Sequence, residues 1–359
     1  MKLEKSLIDR IVSLRSEGTA EKQLSASQLA LIYRENWFNL WVPKDLGGLA
    51  SPFSTGLKFL RELAYWDGGL AWTVTLCAGA NMFAGFLPPT TARDIWKETK
   101  VCLGGSGQIN GRARVVENGF EISGTWQYAT GAPHLTHFTL NAWVDDRDDS
   151  LGTEHRNERY FSFLVPREHV RIHSDWNTFG LECTASHSYS LDHVFVPAAY
   201  RFELTRAGVK VSESLYAISF ISFAELTLFV NYLGMYQRFL DILAAQLSEK
   251  IGRSESDDLR VQEQIDRLAA YSSENQLELD WGVAAADRLE ESGQELKRQD
   301  REELEAEVSQ RTRVFIALMR SRLAEIMPWG GIKAAQYEEE LNQVFRNIFT
   351  ATQHALLNR

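Results

Sequence analysis

The chain has 359 residues, 44% hydrophobic and 24% charged, a balance that excludes the disordered and collagenous classes and leaves room for two or three domains. With 38 Lys and Arg against 48 Asp and Glu, a formal net charge of −10, it lacks the basic surface of a nucleic-acid binder. Cys77, Cys102 and Cys183 are far apart with no C-x-x-C spacing, so neither a disulfide framework nor a zinc ribbon is expected, and a reducing compartment is.

The opening stretch, MKLEKSLIDRIVSLRSEG, carries charge throughout and has no apolar core or cleavage site of a secretory signal, so a cytoplasmic protein is expected. Residues 1–100 have helical spacing. Leu3, Leu7, Ile11 and Leu14 recur at steps of three to four, as do Leu29, Ile32 and Tyr33 behind Ser25 and Ser27 as caps. Breaks are expected at Pro43–Gly48 and at Pro88–Pro89, with Thr90 or Thr91 capping the next helix.

Over 101–208 the period becomes two. Phe120, Ile122, Trp126 and Tyr128 alternate with polar neighbours, as do Phe138, Leu140, Ala142 and Val144; Tyr160–Val165 and Tyr189–Val196 are further strands. Asn118–Gly119 is a two-residue hairpin signal. The glycine-rich run Gly104–Gly111 has G-x-G-x-x-x-G spacing and leads into a hairpin, not a helix. A loop entering the sheet is therefore expected in place of a dinucleotide fingerprint. With no helical pattern between the strands, the sheet is expected to be an antiparallel barrel or sandwich.

Over 209–359 helices return. Leu215–Met235 is apolar enough to suggest a membrane span, but Glu225 and Asn231 within it favour a buried core helix. Leu304, Val308, Phe315 and Leu318 mark another helix, and the charged stretch 252–311 reads as solvated faces. Gly330–Gly331 precedes a last helix ending near Leu357, and long helices with short links imply a bundle. The fold class is α+β, with an N-terminal helical domain (1–100), a middle β-barrel (101–208) and a C-terminal helical bundle (209–359).

His134 and His137 form H-x-x-H, with His155, His169, His173, His187 and His193 nearby. No carboxylate or cysteine pair accompanies them, and spacings of three on a strand point to opposite faces, so no metal centre is expected. On the last helix Asn342, Arg346, Thr350, Gln353 and His354 fall on one face. That stripe is either a solvated face or, holding neutral hydrogen-bonding groups with one Arg and one His, a pocket wall.

Several segments resemble the acyl-CoA dehydrogenase superfamily: WVPKDLGGL (41–49), LAYWDGGLAW (63–72), GFEISGTWQYATG (119–131), LECTASHSYSLDHVFVP (181–197) and ELNQVFRNIFTATQHALL (340–357). The resemblance implies a flavin, FAD or FMN, held between barrel and bundle near a subunit interface of a homodimer or homotetramer. It assigns flavin contacts to Tyr128, Ala129, Thr130, Gly131, Trp176, Thr184, Ser186, Arg346 and Gln353. Thr130 would donate a hydrogen bond towards flavin N5. Asn347 stands where the family has an Asp, removing a partner charge from Arg346.

Within the superfamily, the short GGSGQING loop and the terminal T-A-x-Q-H are similar to the flavin-dependent monooxygenases. These take reduced flavin from a separate reductase and form a C4a-(hydro)peroxyflavin that hydroxylates a small aromatic or heteroatom substrate. In that branch His354 handles protons beside the flavin, with Trp176 and Phe349 keeping the pocket dry. The alternative is an acyl-CoA dehydrogenase, which needs a carboxylate base. No acid lies between Glu340 and Arg359, and Glu225 is one residue out of register. A further alternative is a degenerate flavoprotein scaffold.

Overall fold

Ser25 accepts from the Gln28 backbone while the Gln28 side chain accepts from the Ser25 backbone, a reciprocal box that starts one helix where the sequence placed a cap. The computed structural model describes residues 2–145, 159–252, 255–295 and 298–357. The first zone holds α1 (Lys5–Glu21), α2 (Ala26–Arg34), α3 (Phe53–Trp66), α4 (Gly68–Asn81) and α5 (Pro89–Ile95). Thr90 and Thr91 do not cap α5; they lie inside it, because Pro89 occupies the first helical position, where its missing N–H costs nothing.

Seven strands follow: β1 (Leu103–Val116), β2 (Gly119–Ala129), β3 (His137–Asp145), β4 (Arg159–Pro166), β5 (Arg171–His173), β6 (His187–Pro197) and β7 (Arg201–Phe202). They form one sheet in the order β5-β6-β2-β1-β3-β4-β7. Three expectations change here. The glycine-rich run is strand, not loop: a Cβ at Gly105 would collide with the Thr139 carbonyl, and one at Gly111 with the Trp126 ring, so glycine lets β1 lie flat on its neighbours. The sheet is not purely antiparallel, because β1 and β3 pair in parallel, with bulges between Gly105 and Gly111. Finally, the β1–β2 hairpin turns through Glu117–Asn118, one residue earlier than expected. Asn118 alone takes positive φ (61°), and Gly119 opens β2 against Val116.

The last zone comprises α6 (Phe220–Ser248), α7 (Glu255–Glu295), α8 (Arg298–Ile326), the short α9 (Gly331–Ala334) and α10 (Glu340–Ala351). The apolar stretch before Met235 forms a turn and the first half of α6, buried among the other helices. Among the described residues, it is Gly68–Phe86 that is long and apolar enough to cross a membrane, yet 94% of its apolar window is buried in the fold. Charges along α7 and α8 do more than face solvent: Arg311–Glu278, Arg322–Glu274 and Arg267–Glu325 pair the two helices. Leu304, Val308 and Phe315 are buried as expected, whereas Leu318 is exposed.

Candidate functional site

The motif around Asp67 shows how the site is framed. Asp67 caps α4 by accepting from the backbone of Gly69 and Leu70. Gly69 has no side chain because a Cβ there would strike Cys183 Sγ, so α4 packs closely on the turn before β6. Three positions on one broad face of α4 then reach separate parts of the chain. Gly69 meets the Cys183 turn, Trp72 meets His354 edge to face at 6.1 Å, and Cys77 Sγ donates to the Thr130 carbonyl at 3.8 Å. α4 thereby gathers the β2 end, the 181–186 turn and the segment after α10.

Thr130, Ser186 and Thr184 form a buried hydroxyl ladder. Thr130 Oγ1 lies 2.9 Å from Ser186 Oγ, which lies 2.8 Å from Thr184 Oγ1, and Thr184 donates to the Leu181 carbonyl at 2.9 Å. The carbonyl can only accept, so the ladder has a direction. Thr184 gives its proton to Leu181, Ser186 gives its proton to Thr184, and Thr130 gives its proton to Ser186. In this arrangement Thr130 Oγ1 has an open acceptor position, where the resemblance implies a donor towards flavin N5.

Between Trp126 and Ala129 the β2–β6 pairing slips, and Tyr128 takes φ 69°, a conformation costly for a non-glycine residue. The slip turns the Tyr128 ring outward, where it meets Trp176 at 6.1 Å. Trp176 Nε1 donates to the Leu181 carbonyl, and the Trp176 backbone donates to His187 Nδ1. Ala129 is buried, and the Gly131 N–H donates to the Thr184 carbonyl, tying the β2 end to the 181–186 turn.

The C-terminal residues depart from expectation. α10 stops at Ala351, so Gln353 and His354 lie in the turn beyond it and not on its face. Gln353 is exposed, and its side chain donates back to the Phe349 carbonyl. His354 is half-buried, and burial holds its pKa below the ordinary 6.5. Its Nδ1 accepts from the Leu356 N–H at 3.3 Å, which leaves the neutral ring's hydrogen on Nε2. Phe349 is 51% exposed on this chain and packs on Phe179, which does not match a dry pocket lining within one subunit.

Arg346 is 3% exposed and already engaged by protein: Nε donates to Asn342 Oδ1, and Nη1 to the Phe179 carbonyl and to Glu182. Its guanidinium also stacks 3.8 Å from the centre of the Tyr337 ring, whose hydroxyl donates to the same Glu182. Glu182, which no sequence pattern singled out, therefore supplies the charge that Asn347 lacks. Asn347 instead accepts from the Leu181 N–H. Glu225 is fully buried but points at α8, accepting from Ser309 and Arg313, so it is not a base at this site.

The histidine expectation also needs correcting. His137, at the start of β3, binds Thr136, while His134 meets Cys77 and Cys102, the cysteine pair that distance in sequence concealed. His155 lies outside the described residues. A separate open cleft of about 700 Å³, lined by residues including Arg206, Tyr216 and Glu290, is made from none of the residues expected to hold flavin.

No family model matches the chain. It is 24% identical over 331 residues to a pigment production hydroxylase of a Rhodococcus species, covering 88% of this chain and 81% of the relative. A 25% match to the oxygenase subunit HsaA of a flavin-dependent monooxygenase from Rhodococcus jostii spans 51% of this chain and about half (47%) of that relative. Among solved structures, the 3-HSA hydroxylase from Rhodococcus sp. RHA1 superposes with TM-score 0.87 at 19% identity, covering 98% of this chain and 91% of the other. XiaF from a Streptomyces species, solved with FADH2 and glycerol, gives TM-score 0.85 at 20% identity, covering 98% and 90%. The chain therefore has the acyl-CoA dehydrogenase-like fold of the flavin-dependent monooxygenases that it resembles in sequence.

Proposed function

We propose that the protein is a flavin-dependent monooxygenase that uses reduced FAD or FMN and dioxygen to hydroxylate a small aromatic or heteroatom substrate. The observation that carries this reading is the gathering, by one face of α4, of the Thr130 ladder and His354 with no carboxylate base among them. The slipped, outward-facing end of β2, the buried hydroxyls and the exposed Tyr128 against the half-buried Trp176 fit a flat, partly polar ring system. When bound, reduced flavin supplies the activation of dioxygen and the electrons for its cleavage.

The chain's own residues then have distinct tasks. The Tyr128–Gly131 backbone and Trp176 border the ring. Thr130 Oγ1, with an open acceptor position, would suit a flavin whose N5 bears a hydrogen, as the reduced form does, and the ladder would then favour that redox state. Neutral His354 offers Nε2–H as a donor, and can exchange that proton with the reacting oxygen. Arg346 is a positioning residue that holds the 177–182 turn against α10, and Gln353 stands at the rim. The exposed Phe179 and Phe349 rings fit burial by a second copy in a homodimer or homotetramer, and a separate flavin reductase is the expected partner. The free thiols fit a cytoplasmic setting.

The test is to add anaerobically reduced FAD or FMN, then labelled dioxygen, with a panel of phenols, thioethers and acyl-CoAs. Label appearing in a hydroxylated phenol or an oxidised thioether supports the reading. Flavin reduction by an acyl-CoA without any reductase, or failure to bind flavin in either redox state, overturns it.

A further inference from the structure

Three side chains without a task in the hydroxylation meet just behind the Thr130–Gly131 turn. Cys77 comes from α4, Cys102 from the entry to β1, and His134 from the single turn Ala132–His134. One ligand atom from each lies within 4.8 Å of the other two. Both cysteines are wholly buried and free. His134 Nε2 is buried without a hydrogen-bond partner, although its ring is held by stacking on Phe38 at 5.6 Å. A buried nitrogen without a partner is destabilising, so it calls for an occupant. Nε2 and Cys77 Sγ both border the space left by Gly131, where a Cβ would come 2.6 Å from the ring nitrogen and 3.4 Å from the sulfur.

We propose that Cys77, Cys102 and His134 bind a zinc ion in a Cys2His site whose fourth position faces the Thr130 carbonyl. Tetrahedral zinc, with bonds of about 2.3 Å to sulfur and 2.0 Å to nitrogen, sets its ligand atoms about 3.5–3.8 Å apart, a small contraction of the cluster as it stands. Charge favours the assignment. Two thiolates balance the two positive charges, so the loaded site is neutral and tolerates complete burial, where an isolated ion would not. Both thiols give up their protons to solvent on binding, while the imidazole binds neutral through Nε2. The ion would clamp α4, the start of β1 and the Thr130–His134 turn at one point.

The experiment uses the full chain, purified without chelator. Expected results are one zinc per chain by elemental analysis after dialysis, and a fall in melting temperature when a strong chelator removes it. Replacement by Co2+ should give thiolate-to-cobalt charge-transfer absorption and the intense visible bands of a tetrahedral ion. Cys102→Ser and His134→Ala should weaken or abolish that spectrum while Cys183→Ser leaves it unchanged. Folded wild-type protein that takes up neither ion stoichiometrically, or whose cobalt adduct lacks the thiolate band, overturns the proposal. The wild-type spectrum decides even where a variant fails to fold.

Discussion

Trp72 and His354 meet edge to face, ring centroids 6.1 Å apart with 65° between the planes, although 282 positions separate them in the chain. The contact holds the imidazole beside α4 while the Leu356 N–H fixes its tautomer. His354→Ala should therefore lower single-turnover product formation about 10²-fold with reduced-flavin binding retained, and His354→Gln, which restores a neutral N–H donor, should recover part of the loss. Rapid-quench product analysis checks both. An alanine variant with native turnover would remove His354 from proton handling.

The polarity of the hydroxyl ladder makes a different demand. Ser186→Ala takes away the acceptor that holds Thr130's proton, so Thr130 becomes free to donate. The preference for reduced over oxidised flavin should shrink up to about tenfold, with most of the change a gain in oxidised-flavin affinity, since a hydrogen bond is worth about 0.5–1.5 kcal/mol. Equilibrium titrations of both redox states under argon measure the ratio. An unchanged ratio would contradict the ladder's assigned direction.

Burial also holds the pKa values of His137, His187 and His354 below 6.5. The sign follows from linkage. Between 6.5 and each lowered folded value, the unfolded chain binds protons that the native chain refuses, so stability falls as pH falls through that window and levels off below it. Melting temperature should be flat from pH 8 to about pH 7 and then decline. His354→Gln should make the decline shallower, and a decline of native steepness in that variant would assign the effect to other groups.

Arg346 and Glu182 form an ion pair with little solvent on the arginine side. Arg346→Met strands Glu182 and should cost about 3 kcal/mol, read as a lower denaturant midpoint with unchanged slope. Arg346→Lys should rescue little, because an ammonium cannot serve Asn342, Phe179 and Glu182 at once while stacking on Tyr337. Full rescue by lysine would reduce Arg346 to a simple charge.

Glu225→Gln should lower stability by weakening the contacts with Ser309 and Arg313, yet leave turnover per folded molecule unchanged. Steady-state product assays normalised to folded protein check this. Loss of activity beyond the loss of folded protein would restore a carboxylate mechanism.

The strands β2, β3, β4 and β6 were legible within a few residues because Phe120–Tyr128 and Phe138–Val144 alternate cleanly. β1 was not, because six of its 14 residues, from Leu103 to Gln108, hold three glycines, and close approach to Thr139 leaves no side-chain period to read. The stripe ending at His354 misled for a related reason: periodicity continues through a helix end that only backbone hydrogen bonds reveal. Thr130, Thr184 and Ser186 were named from resemblance, but the direction of their hydrogen bonds depends on the Leu181 carbonyl, which no pattern of residue types encodes. Glu182 and the Cys77–Cys102–His134 cluster were invisible because each depends on tertiary contacts across distant segments.

The parallel seam between β1 and β3 has a consequence for how the sheet assembles. The β1–β2 and β3–β4 units can each zip from local contacts, but neighbouring chain order cannot join them. Joining them requires Gly105 to settle against the Thr139 carbonyl, a pairing of distant segments with a larger loop-entropy cost than either hairpin. The glycines that make this seam fit are thus a condition for joining the two hairpins as well as for the shape of the finished sheet.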